Sequence, residues 1–147
     1  MAAVADGGVI ALRQAQDHLV HACLLGRRHD RCRQELERLR RLKDEGFDSV
    51  GVITRTRAEA ETLYRALAKD FSLHTLLGAE DEFPKGAVVL PVYLAKGLEF
   101  DAVILTDASA EHYSLEEDRN LLYVACTRAL HMLTVLYSGA PSPLLPR

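Results

Sequence analysis

The chain has 147 residues, 48% of them hydrophobic and 27% charged, a balance that fits one ordinary globular core and excludes a disordered or membrane-embedded class. Its net charge of -3 hides an asymmetry: Arg27, Arg28, Arg31, Arg33, Arg38, Arg40, Arg41 and Lys43 crowd one stretch, while Glu80-Asp81-Glu82 and Glu116-Glu117-Asp118 are acidic. Neither an apolar run of bilayer length nor an N-terminal basic region with an apolar core is present, so the expected location is cytoplasmic and no membrane partner is expected. Cys23, Cys32 and Cys126 lack paired spacing, and His18 and His21 have no carboxylate or cysteine at ligand spacing on their shared helical face, so neither a disulfide framework nor a metal site is expected.

In chain order, residues 1–13 form a small-residue leader ending in Val9-Ile10-Ala11-Leu12, a candidate edge strand. Residues 17–25 have helical spacing and stop at Gly26. A long helix follows over 29–45, with Leu36, Leu39 and Leu42 on one face, arginines elsewhere and Gly46 as its C-terminal stop. This basic helix can follow a phosphate backbone or an acidic protein face, or simply be solvated; the sequence leaves these open. Residues 49–54 are β-branched and read as a strand. Arg55-Thr56-Arg57 then turns into a helix over 58–69 anchored by Leu63, Tyr64 and Leu67. Residues 73–77 are a short apolar run, and 78–86 an acidic loop whose Pro84 bars it from a central strand.

Val88-Val89-Leu90 and Ala102-Val103-Ile104-Leu105 read as buried parallel strands on either side of the turn Ala95-Lys96-Gly97-Leu98-Glu99. Turns at strand ends are where open α/β sheets place their chemistry. After a polar loop, Ser114 is the expected N-cap of a helix over 116–130 that carries Arg128 in an otherwise apolar pattern. A strand over 132–137 and an extended, exposed Pro-rich tail close the chain. Strands alternating with helices predict a three-layer α/β domain with a mainly parallel sheet. Residues 1–47 are its helical, basic N-terminal part, 48–138 its core and 139–147 its tail.

Ala95-Lys96-Gly97-Leu98-Glu99-Phe100-Asp101 resembles helicase motif V, and Leu122-Tyr123-Val124-Ala125-Cys126-Thr127-Arg128-Ala129 resembles motif VI, of superfamily 1 helicases of the UvrD, Rep and PcrA kind. With Pro91-Val92-Tyr93 ahead and Leu130-His131 behind, the spelling is similar to the HelD branch, helicase-like ATPases that act on bacterial RNA polymerase. The resemblance covers residues 48–137 and implies a RecA-like, P-loop NTPase-like fold, the second of two facing domains. A Gly-Lys-Ser/Thr phosphate loop is missing from the sequence, so ATP with Mg is expected to be bound mainly by a first domain absent from this chain. Without that loop, Val103-Ile104-Leu105-Thr106-Asp107 reads as a core strand, not a magnesium-binding one.

On that resemblance Arg128 is the arginine finger, the catalytic residue of this half, and Lys96, Gly97 and Glu99 face the nucleotide. A salt bridge from Arg128 to Asp118 or Glu117 is the structural alternative. Arg55 and Thr56 match motif IVa, which touches single-stranded nucleic acid, and Arg57 stands where the family has Asn. For this turn, helix capping and solvated charges are an equal alternative. Pro91 replaces a Thr and Tyr93 a His, although Tyr93 retains a face for base stacking. The expected partners are the N-terminal RecA-like domain and single-stranded nucleic acid or RNA polymerase. The chain is therefore expected to be a fragment of a helicase or HelD-like ATPase, inactive alone, with a non-enzymatic nucleic-acid- or polymerase-binding module as the competing class.

Overall fold

The structure, a computed structural model, describes residues 9–13, 19–26, 31–78 and 85–145, with side chains from residue 34 onward. The chain runs β1 (Val9–Arg13), β2 (Leu19–Gly26), α1 (Arg31–Asp44), β3 (Val50–Thr54), α2 (Arg57–Leu67), β4 (His74–Thr75), β5 (Ala87–Pro91), a 3-10 turn (Val92–Leu94), β6 (Phe100–Leu105), α3 (Asp118–Cys126) and β7 (Ala129–Tyr137). The strands form one sheet in the order β1-β2-β7-β6-β3-β5-β4. Among the described residues its one antiparallel strand pair is β1 with β2.

Both faces of this sheet are covered over β3, β5, β6 and β7, which explains why these strands are apolar without alternation. On one face Ile53, Val88, Leu90, Val103 and Leu105 pack with Leu122 and Ala125 of α3. On the other, Val50, Val52, Val89, Ala102 and Ile104 pack with Leu39 and Leu42 of α1 and Ala60, Leu63 and Leu67 of α2. Neighbouring residues of one strand thus serve different layers. Each leucine buried in this way contributes roughly 1.5–3 kcal/mol of transfer free energy.

Helix α1 ends as its glycine requires. Gly46 has φ 91°, its N–H donates to the Lys43 carbonyl at 3.0 Å, and the Phe47 N–H donates to that of Leu42 at 3.1 Å. These are the two bonds of a Schellman stop, accompanied by packing of Phe47 on the cluster that contains Leu42. Arg38, in the middle of α1, is buried, and its Nε donates to Thr134 Oγ1 of β7 at 2.7 Å. Arg40, Arg41 and Lys43 are exposed.

Four sequence expectations need correction. Residues 19–26 are a strand and not part of a helix; short apolar runs fit either period, and here parallel pairing with β7 from His21 to Gly26 decides. The helix expected over 116–130 is confined to Asp118–Cys126, so Arg128 lies beyond its end. Ser114 does not cap it by its side chain: the Ser114 and Leu115 N–H groups instead donate to Asp118 Oδ2, both at 2.9 Å.

The tail, finally, is only partly exposed: Gly139, Ala140 and Pro143 face solvent, but the segment turns back onto the domain. Pro141 bridges Ser109, Ser142 is fully buried with its N–H on the Ala108 carbonyl at 2.7 Å, and Leu145 enters the core. Residues 79–84 of the acidic loop, 27–30 of the basic run and the leader before residue 9 lie outside the described residues.

Candidate functional site

The parallel strands give the sheet two distinct edges, and the candidate residues divide between them. At the amino edge, Phe100 and Ala129 pair as the first residues of β6 and β7, and the Phe100 N–H donates to the Arg128 carbonyl at 2.9 Å. This places the 95–99 turn directly beside Arg128. Lys96, Gly97 and Glu99 are exposed in that turn. Gly97 has φ 83°, where any L side chain would be strained, and no atom lies within 4 Å of where a Cβ would stand.

Arg128 is half-buried. Its Nε donates to the Val124 carbonyl at 3.1 Å, Nη1 to the Leu98 carbonyl at 3.3 Å and Nη2 to Thr127 Oγ1 at 3.1 Å. It pairs with no carboxylate among the described residues; the Asp118 of the structural alternative is paired with Arg55. The guanidinium is therefore oriented by neutral acceptors, with its charge uncompensated. That is a ready receptor for an anion. The cluster lies at the amino ends of the strands, not in the crevice beyond their carboxyl ends.

At the carboxyl edge Thr54 pairs with Pro91, which brings the 55–57 turn and Tyr93 to the same side of the sheet. Tyr93 is 54% exposed. Thr56 caps α2: its side chain accepts the Glu59 N–H, and Glu59 Oε2 accepts the N–H groups of Thr56 and Arg55 at 3.0 and 3.1 Å. Arg57 is exposed and paired with Glu61 one turn along the helix. Arg55 turns inward. Its Nη1 lies 2.7 Å from Asp118 Oδ1 and donates to the His112 carbonyl at 2.7 Å, and its guanidinium stands over the Tyr113 ring at 5.2 Å.

His112 Nε2 in turn lies 2.8 Å from Glu59 Oε1. That contact raises the His112 pKa against burial, which lowers it. Burial pushes the Glu59 carboxyl up, but the hydrogen bond from His112 and the backbone amides outweigh it and the net shift is downward. Asp118 behaves alike: burial raises it, and the Leu115 amide and Arg55 bring it below the usual carboxylate range. Burial also holds the Cys126 thiol up at about 12, so it stays protonated.

Comparison with known proteins gives the family of the domain that carries these residues. The sequence model of the UvrD-like helicase C-terminal domain matches residues 86–136. The crystal structure of the C-terminal domain of a possible DNA helicase from Lactobacillus plantarum WCFS1 is similar at 38% identity and a TM-score of 0.71, covering 84% of this chain and 76% of that one. This chain belongs to the UvrD-like helicase C-terminal domains. The methylated nsp10 helicase of PRRSV shares the fold alone, at 11% identity and a TM-score of 0.52, over 82% of this chain and 27% of that one. No curated protein matches the chain.

Within the UvrD-like domain, the matched stretch holds Lys96, Gly97, Glu99 and Arg128 together with Tyr93, whereas Arg55, Thr56 and Arg57 precede it. Sequence reading missed Glu59, His112 and Tyr113 as neighbours of Arg55. The Thr-x-x-Glu spacing from Thr56 to Glu59 was a visible signal for the cap. Nothing local announced His112, which reaches the turn through tertiary packing.

Proposed function

We propose that this chain is the second RecA-like half of an ATP-driven superfamily 1 helicase or helicase-like ATPase, in which Arg128 serves MgATP held by a facing first domain. The observation that carries this reading is Arg128 itself: half-buried, oriented by the Leu98 and Val124 carbonyls, and unpaired with any carboxylate among the described residues. A guanidinium so placed stabilises the charge that develops on the transferring γ-phosphoryl group more than the ground state. Gly97 lets backbone approach the nucleotide, Glu99 accepts hydrogen bonds from ribose hydroxyls, and Lys96 links the site to the facing domain.

In the enzyme that contains this domain, Arg128→Ala should lower kcat by about 10³ or more, with a much smaller change in ATP affinity. Equal losses in both would reduce Arg128 to a binding residue. The isolated chain should show no ATP turnover, since the phosphate loop belongs to the other half.

At the opposite edge, exposed Tyr93 and Arg57 are the groups available to single-stranded nucleic acid. Thr56 and Arg55 first have to leave Glu59 and Asp118. Pro91 is buried at the end of β5 and has neither hydroxyl nor amide donor to offer a strand. This favours a HelD-like enzyme whose ATP cycle is coupled to RNA polymerase more than to unwinding. Retention of core polymerase by the full-length protein, with weak stimulation of its ATPase by single-stranded DNA, is the expected result. Strong stimulation without polymerase retention would instead assign a translocating helicase.

A further inference from the structure

Helix α3 joins the two edges. At the carboxyl edge its first residue, Asp118, is held on both oxygens: Oδ1 by Arg55 Nη1 at 2.7 Å, Oδ2 by the Ser114 and Leu115 amides at 2.9 Å. The side chain is 4% exposed. At the amino edge the helix ends on Thr127, and Arg128 Nε is bonded to the carbonyl of Val124 in its last turn. Nine residues of helix span roughly 14 Å. Leu122, Ala125 and Cys126 bind the rod to the core along one side, so its seating at Asp118 and the place of Arg128 are not independent.

We propose that Asp118 is a positioning residue for Arg128: by locking the start of α3 to the Arg55 turn, it fixes where the helix delivers the guanidinium against the 95–99 turn. This rests on the reading of Arg128 as the nucleotide-facing arginine. It also gives Arg55 a role within the fold. A strand that drew Arg55 outward would release Asp118 and, through α3, loosen Arg128.

The test reads Arg128 directly, by nuclear magnetic resonance of its Nε–H in the isotope-labelled 147-residue chain. In Asp118→Asn the Arg128 Nε–H signal should shift and its solvent exchange should quicken about tenfold, as a local opening would produce. Asp118→Glu, which restores the charge, should recover most of the protection. Leu67→Ala removes a buried side chain on the other face of the sheet and should leave the Arg128 signal in place. An unchanged signal in Asp118→Asn, or the same change in Leu67→Ala, overturns the proposal.

Should Asp118→Asn fail to fold, Arg55→Lys keeps the charge but loses the planar fork; it should move the Arg128 signal in the same direction, and no movement there sinks the idea. In the full-length enzyme Asp118→Asn should lower kcat with the KM for ATP unchanged. If Arg128→Ala leaves turnover intact, the nucleotide reading fails while the resonance result still decides the positioning.

Discussion

Gly51 shows how closely β3 is packed. A Cβ built on it would lie 2.7 Å from Cδ2 of the Phe100 ring, whose Phe100 is the first residue of β6 and adjoins the Arg128 carbonyl. Gly51→Ala should therefore destabilise the fold by about 1–3 kcal/mol through overpacking. Adding Phe100→Leu should recover part of that loss, so that the two changes are less than additive in urea unfolding. Strict additivity would mean that the strand shifts elsewhere to make room. At this scale the sequence was most legible where the two motifs meet: the 95–99 turn and Arg128 come together because each motif runs into the start of a strand. It was least legible for Arg55. Its ion pair is with Asp118, a residue far along the chain, and no local pattern encodes that meeting.

Among elements, the Glu59–His112 contact joins the start of α2 to the loop before α3, with Arg55 and Asp107 as the other charges acting on the imidazole. His112 is raised above its ordinary 6.5, so its contribution is full below that pH and fades as the pH rises through the raised value. Glu59 is lowered below its ordinary 4.5, so the contribution is also lost as the pH falls through the lowered value. The contact thus stabilises most between those two ordinary values. Both side chains are partly exposed, 25% and 38%, so solvent screening limits the effect to about 1 kcal/mol or less. Urea midpoints of the natural chain and His112→Gln should differ more near pH 5.5 than near pH 8.5; an equal difference at both would show that the imidazole acts only by its shape. The layers around this contact were readable from the apolar runs, because burial on two faces leaves no polar alternation. The element types were less so. Leu19 to Leu25 satisfies a helix period as well as a strand, and only its parallel partner β7 settles the matter.

For the whole molecule, the tail is structural. Leu145 is buried, and Ser142 donates both its N–H to Ala108 and its Oγ–H to the Tyr113 carbonyl, the latter at 2.6 Å. Burial of one leucine at roughly 2 kcal/mol and two hydrogen bonds at about 1 kcal/mol each make a large part of an ordinary domain's stability. Ending the chain after Ser138 should therefore lower unfolding free energy by about 3–4 kcal/mol, and a urea midpoint within error of the full chain would show the tail to be a passenger. Its prolines and glycine suggested an extended exposed segment, since composition reports what a stretch avoids and not what it packs against. The strand order carries a different consequence, for synthesis. β7 follows both β2 and β6 in the chain yet lies between them, so a nascent chain holds two open strand edges until β7 has emerged. Closure of the sheet must wait for β7, and the earlier hairpin of β1 and β2 spends that interval without its parallel neighbour, where pairing with another chain competes with folding.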